Sequence, residues 1–313
     1  DKIVELDPDV MTLDVEMPRM DGVEFLRRLM PQYPMRVVMV SSLTEKGKQI
    51  TLDALEAGAV DFVTKPTSNV AQGMEELLTL LRTKIKIAST ANVAHWKGKR
   101  FQPHRDAAVK DRALSETTDK VIAIGASTGG TEAIRKVITV FPASTPGVVI
   151  VQHMPPGFTQ MFSERMDSLS RMQVKEAETG DRIIPGRVLI APGAKHMSVV
   201  RRGGFYHVEC KEGELVNGHC PSVEVLMKSV AKYVGANAVG VMLTGMGADG
   251  ADGLKDMREA GARTLAQDEA SSVVFGMPKV AYERGGAEKL VPLDDMAEEV
   301  LNMLEAMQKG GRS

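Results

Sequence analysis

In Val121-Ile122-Ala123-Ile124-Gly125-Ala126-Ser127-Thr128-Gly129-Gly130 an uninterrupted apolar run breaks into glycines around one hydroxyl. The apolar half, rich in β-branched residues, is the pattern of a strand buried on both faces. The apolar-periodic residues after it predict a helix over 131–140. Gly125, Ser127 and Gly129 fit Gly-x-Ser-x-Gly, the elbow at which a strand turns sharply into a helix and lifts a serine oxygen above the sheet. Ser127 is the candidate nucleophile. Glycines with a Ser/Thr cap also join strands to helices without any chemistry, so the weight falls on what the rest of the chain brings to the same place.

Downstream, the apolar run 147–151 ends in Gln152-His153-Met154-Pro155-Pro156. The two runs and the helix between them make a βαβ unit. Its right-handed crossover lays the strands parallel, with Ser127 and His153 at one carboxyl edge. A third buried run, 238–243, ends in Thr244-Gly245-Met246-Gly247-Ala248-Asp249-Gly250 and delivers a carboxylate to that edge. A serine hydroxyl needs a base working near neutral pH, and the base needs a carboxylate that holds its tautomer. Ser127, His153 and Asp249 fill those roles, with Asp252 the competitor for the last. A tetrahedral intermediate also needs uncovered backbone N–H donors. Met246, in the glycine turn, and Thr128, at the helix start, are the candidates. A nucleotide-binding module fits less well, because a dinucleotide site wants glycine in place of Ser127 and an acid closing the next strand. An amidase or peptidase would share the acyl chemistry and stays open at this point.

The segment 180–222 reads as short strands and turns, an insert or hairpins beside the main sheet. His207, Cys210, His219 and Cys220 fit no common zinc spacing, and no metal site is expected from them. A helix is expected from Ser222 to about 234, a polar loop beside the site at 267–276, and an amphipathic helix covering the sheet at 294–307.

Upstream, strand-like runs at 8–14, 36–40 and 59–63 alternate with helical patterns around Val23, Phe25, Leu26 and Leu29, then at 44–57 and 74–87. The strands close on Asp14, Ser41 and Lys65, gathering a carboxylate, a hydroxyl and an ammonium at one sheet edge, which suits an acyl-phosphate. From 88 to 120 the periodicity dissolves, as in a linker. The expected organisation is therefore a first domain at 1–87, a linker at 88–120 and a second domain at 121–313. The cluster Lys97, Lys99, Arg100, His104 and Arg105 reads as a solvated segment or a docking site, and Trp96 as an anchor of the linker.

Length and charge exclude several classes. The 313 residues favour two domains, and 43% apolar residues suffice for packed cores. With 39 basic against 41 acidic residues, a net charge of −2, nothing suggests a nucleic-acid or anionic-membrane surface. No apolar run approaches the ~20 residues of a membrane span. Two cysteines agree with a reducing compartment, so a cytoplasmic location is expected.

Two resemblances sharpen this outline. Leu13-Asp14-Val15-Glu16-Met17-Pro18 with Asp21-Gly22, Val40-Ser41-Ser42 and Thr64-Lys65-Pro66 resemble the second half of a response-regulator receiver domain, a flavodoxin-like parallel sheet. The resemblance implies that Asp14 accepts a phosphoryl group from a histidine kinase, that Ser41 and Lys65 contact its oxygens, and that Mg²⁺ assists. The motifs around Ser127, His153 and Asp249, in that order along the chain, resemble the catalytic domain of the chemotaxis protein-glutamate methylesterase (CheB) family. An α/β-hydrolase would run Ser, Asp, His. This second resemblance implies a doubly wound α/β domain with a mainly parallel sheet. It also implies hydrolysis of γ-glutamyl methyl esters on chemoreceptors with release of methanol, and deamidation of receptor glutamines, with no cofactor for catalysis. The chain starts at Asp1, inside what reads as a helix tail, without the receiver's first strands or the acidic pair that helps hold Mg²⁺. An amino-terminally truncated receiver, insensitive to phosphodonors, is the expectation.

Overall fold

The computed structural model describes residues 2–15, 17, 21–66, 70–98 and 119–310. Glu16, Pro18, Arg19 and Met20 of the predicted turn, and Lys99, Arg100, His104 and Arg105 of the basic cluster, lie outside the described residues. The chain divides into two compact units, 1–106 and 107–313.

The first unit runs α1 (Lys2–Leu6), β1 (Met11–Asp14), α2 (Gly22–Leu29), β2 (Val37–Ser41), α3 (Glu45–Glu56), β3 (Asp61–Thr64) and α4 (Val70–Ser89). Its three strands are parallel in the order β1-β2-β3, with Asp14 beside Val40 and Ser41 beside Thr64. Short polar side chains start the helices. Asp21 accepts from Glu24 N at 2.7 Å and Thr44 Oγ1 from Gly47 N at 3.0 Å, each satisfying an amide the first turn leaves over. Residues 88–98, expected as the start of a linker, pack on this unit. Ala88, Ala91, Val93 and Trp96 are buried, Arg36 Nε donates to Ala91 O at 2.9 Å, and Gly98 N to Pro31 O at 2.8 Å. Four apolar residues scattered among polar ones carry no period, so composition alone did not show the attachment.

The second unit begins β4 (Val121–Ala126), α5 (Gly130–Ile138), β5 (Gly147–Gln152), α6 (Phe158–Leu169), β6 (Gln173–Glu176), β7 (Arg187–Ile190), β8 (His196–Arg202) and β9 (Phe205–Lys211). It continues α7 (Val223–Tyr233), β10 (Ala238–Met242), α8 (Ala251–Glu259), β11 (Arg263–Gln267), α9 (Met277–Glu283), β12 (Lys289–Val291) and α10 (Leu293–Gly310). Seven strands form one parallel sheet in the order β12-β11-β10-β4-β5-β7-β6, and β8 and β9 pair antiparallel apart from it.

One expectation is corrected here: the apolar run at 188–190 is no insert, because β7 lies inside the main sheet between β5 and β6. Val188, Leu189 and Ile190 are all fully buried, as an interior parallel strand requires.

Alternation along β4 divides the core. Val121 and Ala123 join Val149 and Val151 against Val223, Leu226, Met227 and Val230 of α7, while Ile122 and Ile124 are buried on the opposite face. The chain leaves β4 through β5 in one direction and returns to β10 on the other side, so the order reverses between β4 and β10. In open parallel sheets that reversal opens a crevice at the strands' carboxyl ends.

Candidate active site

Ser127 and the 244–250 loop follow the two strands that flank this crevice. The elbow's glycines serve two different needs. Gly129 has φ +77, a left-handed conformation that a side chain would strain, and it caps α5. Gly125 instead permits a close approach, since a Cβ there would lie 2.2 Å from Val223 Cγ1 at the start of α7. Gly245 likewise has no room for a side chain, because a Cβ would meet Ser127 Cβ at 2.7 Å.

Backbone bonds fix the serine. Ser127 N donates to Thr244 O at 3.0 Å and Ser127 O accepts from Gly130 N at 2.7 Å, so α5 starts on the nucleophile candidate and points its positive end toward it. Gln152, the last residue of β5, ties serine and histidine together, with Nε2 donating to Ser127 O at 2.9 Å and to His153 O at 3.2 Å.

The three side chains expected to meet do so. His153 Nδ1 lies 3.1 Å from Ser127 Oγ, and His153 Nε2 lies 2.8 Å from Asp249 Oδ2. With Asp249 ionised, Nε2 carries the proton and donates to the carboxylate, leaving the Nδ1 lone pair for the serine hydroxyl. Asp249 is 2% exposed. It receives Ser222 Oγ at 2.7 Å, Val223 N at 2.7 Å, Glu224 N at 3.3 Å and Asn217 Nδ2 at 3.0 Å. Those backbone donors are the first turn of α7, so the carboxylate occupies a helix amino terminus. Burial alone would raise its pKa. The donors, His153 first and then Asn217 and Ser222, outweigh that and hold it at about 2. Asp252 is not a rival in space, as its carboxylate pairs with Arg284 Nη1 at 2.7 Å near the surface.

The loop 267–276 braces the turn that carries Met246. Gly245 N donates to Val274 O at 3.0 Å, Gly245 O accepts from Gly276 N at 3.1 Å, and Thr244 N donates to Gln267 Oε1 at 2.8 Å. Met246 itself is 48% exposed at the rim. Among the described residues no three His, Cys, Asp or Glu side chains stand together to hold a metal. His219, weighed above only as a zinc ligand, lies flat against His153, with ring centroids 3.7 Å apart and planes 13° from parallel. Composition and strand pattern did not point to Asn217 or Ser222. The signal in the sequence was Asn217-Gly218, a tight-turn pair that places a side chain amide beside whatever the turn packs on.

In the first unit Asp14 and Lys65 meet, with Lys65 Nζ 2.5 Å from Asp14 Oδ2 and both side chains 42% exposed. Ser41 does not join them, which corrects its expected place. Its side chain is fully buried and its hydroxyl is engaged with α3, donating to Gly47 O at 3.3 Å and accepting from Thr51 Oγ1 at 2.5 Å.

A serine, a histidine and a buried carboxylate in hydrogen-bonded line at the switch point of a parallel sheet are the arrangement of a serine hydrolase. The family model for CheB methylesterase matches residues 122–300, and that for the response regulator receiver domain matches residues 1–92. The chain belongs to the CheB methylesterase family, with a receiver domain ahead of the catalytic one. The protein-glutamate methylesterase/protein-glutamine glutaminase of Syntrophotalea carbinolica is 70% identical over 97% of this chain and 86% of its own. The protein of the same name from Salmonella typhimurium is 51% identical over 98% of this chain and 87% of its own. The crystal structure of the Thermotoga maritima CheB methylesterase catalytic domain superposes with a TM-score of 0.58 at 36% identity, covering 60% of this chain and all of that one. Among the described residues no helix is long and apolar enough to cross a membrane.

Proposed function

We propose that the second unit hydrolyses γ-glutamyl methyl esters on methyl-accepting chemoreceptors, and that it deamidates receptor glutamines by the same route. The observation that carries this reading is the unbroken line from Ser127 Oγ through His153 to the buried Asp249. Ser127 Oγ attacks the ester carbonyl carbon as its proton passes to His153 Nδ1. The carbonyl oxygen becomes an oxyanion received by the Met246 and Thr128 N–H groups. Collapse breaks the carbon–methoxy bond, and His153 returns the proton to the leaving oxygen, giving methanol. Water then repeats the sequence on the acyl-serine, releasing a glutamate carboxylate and restoring Ser127. With glutamine, ammonia leaves instead.

The receiver is the control element in this proposal. Asp14 is its phosphoryl acceptor, loaded by a histidine kinase when the receiver's first strands and acidic pair accompany it and unresponsive to phosphodonors without them, and on loading its Lys65 partner turns to the new phosphate oxygens. Mg²⁺, when bound to a receiver, neutralises charge on the phosphoryl group in transfer. Asp14 would hold it with one carboxylate, and the described residues supply no group of three such ligands. In this proposal a receiver and a catalytic domain at 121–313 are joined by a linker, with residues 88–98, which pack on the first unit, counted with the receiver, and the cytoplasm is the compartment that suits this partner set.

Non-additivity tests the roles. Ser127→Ala and His153→Ala should each abolish most activity, and the double variant should be no worse, because triad members act as a unit. Losses that multiply would contradict a shared mechanism.

A further inference from the structure

Two hydrogen bonds hold His153, one at each ring nitrogen. They fix where the ring sits but oppose only weakly its tilt about the line joining Nδ1 and Nε2. A parallel ring pressed on one face opposes that tilt directly. His219 supplies it, at 3.7 Å between centroids and 13° between planes.

The ring is itself delivered by a rigid device. Val216 N donates to His219 O at 3.1 Å and His219 N to Val216 O at 3.0 Å, closing a two-residue hairpin over Asn217 and Gly218, whose φ values are +53 and +81. Positive φ at both central positions is the mark of a tight turn with little freedom. From the same turn Asn217 Nδ2 donates to Asp249 Oδ1 at 3.0 Å. One hairpin therefore grips both the acid and the base.

We propose that His219 is a positioning residue for His153, acting through its ring face and not through its nitrogens. This rests on the serine-hydrolase reading of the site. When His153 takes the serine proton it becomes a cation lying on an aromatic face, and the attraction appears only as the charge develops. The benefit therefore falls on kcat and leaves substrate binding alone.

The test measures methanol release from methyl-esterified receptor membranes by the full chain and by His219→Leu, His219→Phe and Ser127→Ala. Leu keeps the packing volume without a π face and Phe keeps the face without nitrogens. The expected result is a kcat about tenfold lower for His219→Leu with KM changed less than about twofold, and His219→Phe recovered to within about threefold of the parent. Tm values of the variants, read beside the rates, report whether each is folded, and His219→Met, which also lacks a π face, takes the place of Leu if Leu fails to fold. The proposal is overturned by a His219→Leu enzyme with parental kcat, by a loss confined to KM, or by a folded His219→Phe no better than Leu. Ser127→Ala separates the two levels: an active Ser127→Ala breaks the hydrolase reading itself, whereas an inactive one beside a parental His219→Leu removes only the role of His219.

Discussion

His153 reaches Asp249 through Nε2, at 2.8 Å, and turns Nδ1 to the serine. The carboxylate is no loose partner, since it sits on the first turn of α7 with the Ser222 hydroxyl and the Asn217 amide completing its shell. An Asp249→Asn side chain would put an N–H where that shell offers only donors, or turn it toward His153 and force the wrong tautomer. Its kcat should fall by roughly 10⁴, whereas Asp252→Asn, which only loses the surface pair with Arg284, should stay near the parent. Steady-state methanol release by the two variants decides the matter, and the reverse order of damage would contradict the geometry.

The depressed pKa of Asp249 has a sign. With a folded value of about 2 against the ordinary 3.8 of an aspartate, the group stabilises the fold fully above pH 4, and that stability is lost as the pH falls through 2. The amount is about 2 kcal/mol at neutral pH. Urea unfolding of the parent and of Asp249→Asn should show a gap that narrows between pH 5 and pH 2. A gap independent of pH would mean the carboxylate is not held as described.

Gly125 links the elbow to the acid. A methyl group there meets Val223 Cγ1 at 2.2 Å, and Val223 N is one of the donors to Asp249. Gly125→Ala should therefore cost ~1–3 kcal/mol of stability by overpacking, and should also lower kcat by shifting α7 off the carboxylate. Adding Val223→Ala should restore most of both. Unrelieved loss in the pair, by thermal unfolding and by rate, would show that the clash lies elsewhere.

How much of this was legible follows from where each residue sits. Ser127, His153 and Asp249 follow β4, β5 and β10, apolar strands whose parallel pairing leaves no choice of edge, so their meeting could be read from the chain. Ser41 also ends a strand, yet Val37, Val38 and Met39 are all buried. A strand buried on both faces has no alternation to tell which way its last side chain points, and the hydroxyl went to α3. β7 escaped for a similar reason, being three apolar residues amid turns. His219 and Asn217 belong to a hairpin placed only by tertiary contact, and Trp96 finds its seat against Gly58 without any local period.

Cys210 offers a check on the second unit's packing away from the site. Burial, with the Asp181 carboxylate adding to it, pushes the thiol up to about 12, and Sγ donates to Ala177 O at 3.5 Å. At pH 8 it should stay protonated and resist iodoacetamide in the native protein, then react once unfolded in urea. Mass spectrometry of the peptide containing Cys210 reads the outcome, and rapid native labelling would contradict the burial.

In the proposed mechanism the ester hydrolysis rests on Ser127. Its most direct measurement is methanol released from methyl-esterified chemoreceptor membranes by the parent chain and by Ser127→Ala at equal concentration. Release by the parent is expected and, in the variant, a fall of at least about 10³-fold. Equal rates, or no release by a folded parent, would contradict it.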